Sequence, residues 1–488
     1  MSPIVLSVTI VAYFAILFTI SYIAGHKADN EGFFVGNHKS AWYIVAFAMI
    51  GSTISGVTFV SVPGMVQASS FSYLQMVLGF IVGQIIIAFV LVPLFYRMNL
   101  VSIYEYLENR FGSSSYKTGA WFFFISKMLG AAVRLFLVCL TLLIFEPFHL
   151  PFLLNVILTV FIVWLYTFRG GVKSLIWTDV LKTFCLVVSV VLCIYYIASS
   201  LHLNFNSLVT TLSDSDFSKT FFFDDVNDKR YFFKQFLAGV FTVIAMNGLD
   251  QDMMQRNLSC KNFRDSQKNM ITSGISQFFV ILLFLMLGVL LYTFTAQQGI
   301  KNPDKSDEIF PMIATGNYFP GIVGILFIIG LIASAYSAAG SALTALTTSF
   351  TVDILNAQKK GEAALSKIRK HVHIGMAIVM GIIIFVFNLL NNTSVIDAIY
   401  TLASYTYGPI LGLFAFGIFT KKQIYDKYTP PIAIASPVLC YILQRNSEAW
   451  FNGYQISYEL LLFNAAFTFT GLCFLIRKKS TINNTTAL

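Results

Sequence analysis

The stretch MIGSTISGVTFVSVPGM, from Met49 to Met65, decides the fold, because it places helix-breaking residues inside a long apolar segment. It holds three glycines, a proline, three serines and two threonines, and it has no charge. Glycine costs a helix about 1 kcal/mol relative to alanine, hydroxyl side chains offer competing hydrogen bonds, and proline has no N–H. Within a membrane, non-helical backbone is tolerated only where it lines a cavity or is buried in protein. The stretch therefore predicts a broken membrane helix; close packing through small residues is the alternative.

The composition around this stretch is that of a polytopic membrane protein. Of 488 residues, 57% are hydrophobic and only 11% are charged, whereas a soluble domain has about 25% charged residues. A large soluble enzyme is thereby excluded, and an all-α integral membrane fold with about 13 transmembrane helices is expected. The apolar runs lie at 4–24, 41–67, 71–97, 118–145, 151–168, 172–198, 231–255, 268–296, 320–352, 371–390, 394–420, 429–444 and 456–477.

The lysines and arginines indicate the orientation. Most of them flank segments that are cytoplasmic if the N-terminus is outside and the C-terminus is inside, as the positive-inside rule requires. The net charge of +9 thus reflects topology, and nucleic acid is not an expected partner. The chain has no separate output domain, no cysteine or histidine cluster for a resident metal or other cofactor, and no nucleophile–base pair. We therefore expect a single transmembrane transporter domain over 1–488, and not a receptor or an enzyme.

The seventh span contains a second interruption, in which Met246-Asn247-Gly248-Leu249-Asp250-Gln251 again joins glycine to polar residues. This span comes five spans after the first broken one. An inverted five-plus-five repeat places a broken helix first in each half, with the binding site between the two breaks. The pattern predicts repeats at 41–198 and 231–420, with peripheral helices at 4–24 and within 429–477; coincidence is the alternative.

Hydroxyl residues recur every three or four positions in the ninth span, at Ser334, Ser337, Ser341 and Thr344. This spacing places them on one face of a helix. Sodium is a hard cation that prefers oxygen ligands, by the logic that holds for calcium and magnesium. A hydroxyl stripe beside the unwound carbonyls of the first break therefore predicts a sodium site, and a packing seam of small residues is the alternative.

Several motifs, taken in order, resemble the sodium/solute symporter family, which includes sodium-coupled sugar, proline, pantothenate and sialic acid carriers. They are ADNEGFFVGNHKSAWYIVAFAMIGSTISG, TFRGGVKSLIWTDVLK, NGLDQDMMQRNLSCKN, the serine-rich helix that ends in Asp353, and YTYGPILGLFAFGIFTKK. The resemblance covers nearly the whole chain. It implies an inverted repeat of the leucine-transporter type and sodium-coupled transport.

The resemblance also implies the main sodium site. Carbonyl groups of Gly51, Ile54 and Ser334 would bind the ion together with the hydroxyl of Ser337. The next position, where the family usually offers a second hydroxyl, is Ala338.

A second sodium site, present in some members, would use Asp179 and Ser341. Gly340 stands where a further hydroxyl would help. A carboxylate at this depth in the membrane needs a cation or a proton as partner. Lys127 and Lys182 are the predicted alternatives to sodium, in which case Asp179 is part of a structural ion pair.

The solute site is predicted around Arg134, near the middle of the fourth span. Because arginine is permanently charged and binds carboxylates through two parallel hydrogen bonds, it favours an anionic solute; a salt bridge to a protein carboxylate is the alternative. The resemblance to the sialic acid branch implies hydroxyls from the first break and an amide from the third span, where Gln84 competes with Gln75. The predicted set is Thr53, Ser55, Thr58, Gln75, Arg134 and Asn247.

The expected function is sodium-coupled symport of a small organic solute by alternating access, with sialic acid or another carboxylate as the favoured class. Its partners would be the solute, Na⁺ as the coupling ion and the lipid bilayer of the plasma (inner) membrane. A sodium-coupled sugar or amino-acid carrier, a proton-coupled carrier of the same fold and a channel remain as alternatives.

Overall fold

The computed structural model describes residues 3–25, 40–98, 100, 102–145, 151–357, 361–390 and 395–477. Within these ranges the regular elements are helices, apart from two isolated β-bridges. In chain order the helices are α1 (Pro3–Gly25), α2 (Trp42–Thr53), α3 (Gly56–Ser69), α4 (Tyr73–Met98), α5 (Glu105–Arg110), α6 (Ser113–Phe145), α7 (Phe152–Ser200), α8 (Phe205–Ser213), α9 (Phe232–Gly248), α10 (Gln251–Leu258), α11 (Phe263–Gln298), α12 (Ile309–Thr315), α13 (Gly321–Ile354), α14 (Glu362–Leu390), α15 (Val395–Phe419), α16 (Thr429–Trp450) and α17 (Leu460–Phe474).

The first predicted break is confirmed, because α2 and α3 meet at an angle of 61°. Ile54 and Ser55 between them are extended, with φ/ψ of −87°/100° and −83°/168°. The Ser55 hydroxyl accepts the N–H of Thr58 at 3.3 Å and so caps the new helix. The carbonyl groups at the end of α2 and the N–H groups at the start of α3 are thus left without intrahelical partners.

The second predicted break is also confirmed, because α9 and α10 meet at 69°. A π-helical turn, Ile244–Gly248, ends α9, and the extended Asp250 (φ −105°, ψ 121°) precedes α10. The Asp250 carboxylate accepts the N–H groups of Asp252 at 2.9 Å and Met253 at 3.2 Å. Both breaks therefore restart their helix in the same way, with a side-chain oxygen at the N-cap.

Helix α7 covers two predicted spans, 151–168 and 172–198. The chain nevertheless reverses along it, as four contacts with α13 show: Thr159 with Tyr336, Thr167 with Gly340, Asp179 with Ser337 and Leu186 with Gly330. Along α7, the contacted position on α13 rises from 336 to 340 over the first two contacts and falls from 337 to 330 over the last two. The two halves of α7 hence run in opposite directions, as two spans would.

Helix α13 forms the centre of the molecule, and most of its residues are buried. It packs most extensively on α7. Helix α14, by contrast, exposes a stripe of isoleucines at Ile374, Ile378 and Ile382, the pattern of a helix with one apolar face turned outward. Among the described residues, seven helices are long and apolar enough to cross a membrane, or nine if each bent pair counts as one span.

Candidate functional site

A cavity lies between the two breaks, and residues of α2, α3, α4, α6, α9, α10, α11 and α15 form its wall. It brings together residues that are far apart in the sequence. Of the predicted solute-binding set, the cavity contains Thr53, Ser55, Thr58, Arg134 and Asn247.

Gln75, the remaining member of that set, does not line the cavity, and its placement is corrected. Its side chain is fully buried at the start of α4. The amide donates to the carbonyl of Arg230 at 2.8 Å and accepts the N–H of Phe222 at 3.2 Å. Gln75 therefore fastens the connection before α9 to α4. Gln84 also lies outside the cavity, and the glutamine in its wall is Gln277 of α11.

Arg134 of α6 presents its positive charge to the cavity. Its Nε is buried without a hydrogen-bond partner, and none of the ion pairs in the described part of the chain includes it. The predicted alternative, a salt bridge to a protein carboxylate, is thus not what the structure shows. The N-terminus of α3, which begins at Gly56, opens on the same cavity and adds the positive end of a helix dipole. Both features suit an anion.

Lys127 lies two turns before Arg134 on α6, and it is engaged by two carboxylates. Its ammonium is 3.0 Å from Asp250 and 2.8 Å from Asp252. The hydroxyl of Tyr407, on α15, donates to Asp250 as well. Lys127 therefore fixes α6 to the second break, and the prediction that it is a partner of Asp179 is wrong.

The end of α2 approaches α7 closely at Gly51. A Cβ atom at Gly51 would collide with the Thr183 hydroxyl and would lie 2.9 Å from the carbonyl of Asp179. Only glycine allows this approach without a shift of one helix. The contact places the last turn of α2 beside Asp179.

Five oxygen-bearing groups converge where the last turn of α2 meets α13 and α7. The Ser334 hydroxyl is 3.4 Å from the carbonyl of Ile54, and the Ser337 hydroxyl donates to Asp179. Ser52 donates to the same carboxylate at 2.9 Å. Free carbonyls at a helix C-terminus, hydroxyls and a carboxylate are the ligands that a hard cation prefers. This cluster is where the sequence predicted the main sodium site.

Two positions on α13 close to Ser337 lack a hydroxyl group. Ala338 offers only a methyl group next to Ser337. At Gly340, a Cβ atom would collide with the hydroxyl of Tyr166, which donates to the carbonyl of Tyr336. Tyr166 thus takes the space that a serine at position 340 would need.

Arg256 is the residue that sequence reasoning missed. It is 1% exposed, and its guanidinium is 3.2 Å from Asp179 and 3.1 Å from Asp252. Asp252 also accepts the hydroxyl of Ser341 at 3.0 Å. The two residues of the predicted second sodium site are therefore joined through Asp252 and Arg256. Lys182, the other predicted partner of Asp179, is fully buried, and its Nζ has no hydrogen-bond partner among the described residues.

The sequence did contain a signal for this ion-pair network. Asp252 and Arg256 are four residues apart, the spacing at which helical side chains meet. Ionisable residues at membrane depth are expensive and mark functional sites.

Comparisons with known proteins show to which family the chain belongs. Residues 33–425 match the sodium:solute symporter family. The sodium/sialic acid symporter NanT of Aliivibrio fischeri is 25% identical over 85% of this chain and 83% of its own length. The human sodium/iodide cotransporter is 23% identical over 81% of this chain and 62% of its own length. Mouse sodium-coupled monocarboxylate transporter 1 is 24% identical over 82% of this chain and 66% of its own length.

Two solved structures share the fold. The substrate-bound, outward-open structure of a Na⁺-coupled sialic acid symporter superposes with a TM-score of 0.82 at 19% identity, covering 97% of this chain and 99% of that one. MHP1, a nucleobase-cation-symport-1 family transporter, superposes with a TM-score of 0.51 at 12% identity, covering 90% of this chain and 92% of that one. With the family match over most of its length, the chain belongs to the sodium:solute symporter family, and it is a membrane transporter rather than an enzyme.

Proposed function

We propose that this protein is a sodium-coupled symporter of a small organic carboxylate that works by alternating access. The proposal rests mainly on Arg134, whose side chain lies in the cavity wall and belongs to none of the ion pairs among the described residues. The oxygen-rich cluster at the end of α2 adds support. The relative NanT is named for sialic acid, and monocarboxylate transporter 1 is named for monocarboxylates. Both kinds of solute have a carboxylate group, which an arginine side chain can bind.

The solute would bind between the two breaks. Arg134 would hold its carboxylate through two charge-assisted hydrogen bonds, and the N-terminus of α3 would favour the same negative charge. The remaining polar groups would come from Thr53, Ser55 and Thr58 at the first break and from Asn247 at the second. Gln277 takes the role that the sequence had given to Gln75.

The sodium ion would bind at the end of α2. Its ligands would be the carbonyls of Gly51, Ile54 and Ser334 and the hydroxyl of Ser337. An ion in this position joins the first break to α13 and so stabilises the arrangement in which the solute residues face the cavity. Sodium and solute then increase each other's affinity, as thermodynamic linkage requires.

We further propose the finer architecture that the sequence predicts: about 13 spans, an inverted repeat of 41–198 and 231–420, and an N-out, C-in orientation in the plasma membrane. The matching bends of 61° and 69°, each followed by a capped half-helix, support the repeat. The outward isoleucine stripe of α14 supports contact with lipid.

A thermal-shift screen of the purified full chain tests the function. The probes are N-acetylneuraminate, lactate, glucose and proline, each in sodium buffer and in potassium buffer. We expect a carboxylate to raise the melting temperature in sodium only, and we expect this shift to vanish in Arg134→Gln. A shift given only by glucose or proline, or an equal shift in potassium, would contradict the proposal.

A further inference from the structure

We infer that an anionic phospholipid binds in a groove on the outer surface of the helix bundle, between the first half of α7 and α14. The groove has a volume of about 570 Å³, and it shares no lining residue with the central cavity. This site is therefore additional to those proposed for the solute and for sodium.

The lining of the groove is apolar. Its residues on α7 and α14 are aliphatic, aromatic or glycine, and the indole nitrogen of Trp164 is their only side-chain N or O atom. Ile157 and Phe161 on one side, and Ile378 and Ile382 on the other, are each more than half exposed. Contact with water would be unfavourable for such a surface, so hydrocarbon is the environment that suits it.

The dimensions of the groove fit an acyl chain of one leaflet. The groove extends over residues 153–164 of α7 and 374–385 of α14, roughly 16 Å at 1.5 Å per residue. Half of the hydrocarbon core of a bilayer is about 15 Å thick. The two helices approach each other within the groove, where a Cβ atom on Gly381 would lie 3.8 Å from a methyl group of Val160. A flexible acyl chain can enter such a groove, whereas a helix of a second copy, about 10 Å across, would rest on its rims.

A cation lies at one end of the groove. The ring centroid of Phe168 is 5.3 Å from that of Trp164, the last lining residue of α7, and the Lys370 ammonium is 5.9 Å from the Phe168 centroid. Lys370 comes one turn before Ile374, the first lining residue of α14. Its exposed side chain belongs to none of the ion pairs among the described residues. The ammonium can therefore bind a phosphate group placed at this end.

Aromatic side chains lie at the opposite end of the groove. Phe136 of α6 contacts Phe152 of α7 and Phe387 of α14 there, with ring centroids 6.1 Å and 5.1 Å apart. The groove is thus apolar at one end and basic at the other. This polarity matches a phospholipid whose acyl chain points toward Phe136 and whose head group lies at Lys370.

The residues around Lys370 favour a negatively charged head group. Residues 363–374 of α14 include Lys367, Arg369 and Lys370 and no acidic residue. In the proposed orientation this end of α14 lies at the cytoplasmic leaflet, where basic pockets between membrane helices bind anionic lipid head groups. Trp164 lies at the same level, as tryptophan commonly does at the boundary between head groups and hydrocarbon.

Native mass spectrometry tests the inference on the purified full chain, mixed with equal amounts of phosphatidylglycerol and phosphatidylcholine that have identical acyl chains. We expect one phosphatidylglycerol per chain to be retained in preference to phosphatidylcholine. Millimolar glycerol 3-phosphate should not displace it, because that molecule has no acyl chain to bury. Equal retention of the two lipids would overturn the inference. Displacement by glycerol 3-phosphate would overturn it too, since the site would then be one for a free phosphate.

A substitution at Lys370 tests the head-group end. Lys370→Gln should lower the retention of phosphatidylglycerol relative to phosphatidylcholine roughly fivefold, the effect of one cation near a membrane surface. Lys421→Gln is the matched control, because Lys421 is an exposed lysine that follows α15, away from the groove. The same lipid preference in both variants would contradict the inference.

A substitution at Gly381 tests the acyl-chain part. Gly381→Leu would fill the groove and should lower the retention of both lipids. Gly375→Leu is its control, because Gly375 lies on α14 outside the groove lining and a Cβ there meets nothing within 4 Å. Equal retention in the two variants, or a dimer that only Gly381→Leu disrupts, would show that the groove does not hold a lipid. If a variant does not fold, the lipid preference of the wild type decides.

Discussion

Arg134 lies in the cavity wall outside the ion pairs of the described residues, whereas Lys127, seven residues earlier on the same helix, contacts two carboxylates. The two cations therefore have different tasks. Lys127 holds α6 to the second break, and Arg134 remains available for a ligand. Charge alone did not distinguish them in the sequence, because the difference depends on which carboxylates the fold brings near.

Arg134→Gln should weaken binding of the carboxylate solute by roughly 10- to 150-fold, the loss expected for a hydrogen bond to a charged group. Sodium binding without solute should be unchanged, because Arg134 lies outside the proposed ion site. The measurement is solute affinity from thermal-shift titration, with ²²Na⁺ binding as its control. Unchanged solute affinity would show that the carboxylate binds elsewhere.

Ser337→Ala should raise the sodium concentration for half-maximal binding roughly tenfold, about 1.4 kcal/mol, because it removes an oxygen ligand beside Asp179. Ser349→Ala is the matched control: Ser349 lies on α13 too and donates to a buried carboxylate, Asp353, at 2.6 Å. The control should lose stability without a change in sodium affinity. Similar sodium affinities in both variants would argue against the assigned site.

Ala338→Ser tests the hydroxyl that the family pattern leads one to expect. The new hydroxyl would lie next to Ser337 and could add an oxygen ligand for the ion. We expect sodium to bind roughly 2- to 12-fold more tightly, the range for one net hydrogen-bond-like contact. Sodium titration of the two proteins side by side gives the answer, and weaker binding by the variant would mean that position 338 does not face the ion.

At the scale of the helices, the two breaks were predictable from local sequence. Gly51 and Gly56 with intervening hydroxyl residues, and Gly248 beside Asp250, disfavour helix strongly enough to be recognised inside apolar spans. The structure places both breaks within a few residues of the prediction. The side-chain contacts between the breaks and other helices were less predictable. Arg256 meets Asp179 across 77 positions of sequence, and that contact depends on how α10 packs on α7.

Gln75 lies outside the cavity for a related reason. The resemblance to the sialic acid branch suggested a glutamine of this span for the solute site, but the amide of Gln75 bonds to the backbone of Phe222 and Arg230 in the connection before α9. A long connection contains no periodic signal that reveals where it folds back.

The approach of α2 to α7 is a property of the helix pair, and Gly51→Ala tests it. The added methyl group would collide with Thr183 and push the helices apart, at a cost of about 1–3 kcal/mol in the free energy of unfolding. Gly375→Ala on α14 is the control, because a Cβ there meets nothing within 4 Å. We expect a lower melting temperature and weaker sodium binding for the first variant only. Equal behaviour of the two would contradict the close approach.

At the scale of the whole molecule, the number of sodium ions carried with each monovalent carboxylate decides whether transport moves net charge. Without a membrane potential, a tenfold sodium gradient should support about tenfold accumulation of the solute for each sodium ion carried with it. Proteoliposomes with a potassium diffusion potential set by valinomycin provide the measurement. Uptake that is insensitive to an inside-negative potential indicates one sodium ion per carboxylate, uptake that rises with it indicates more than one, and no accumulation in a sodium gradient would contradict sodium coupling.

The central claim is sodium-coupled accumulation of a carboxylate through the cavity beside Arg134. Its most direct test is uptake of radiolabelled N-acetylneuraminate and lactate into proteoliposomes with sodium only outside. We expect transient accumulation of at least one of the two solutes above its external concentration, and loss of that accumulation when potassium replaces sodium or glutamine replaces Arg134. Accumulation driven equally well by a proton gradient without sodium, or only downhill flux in every condition, would contradict it.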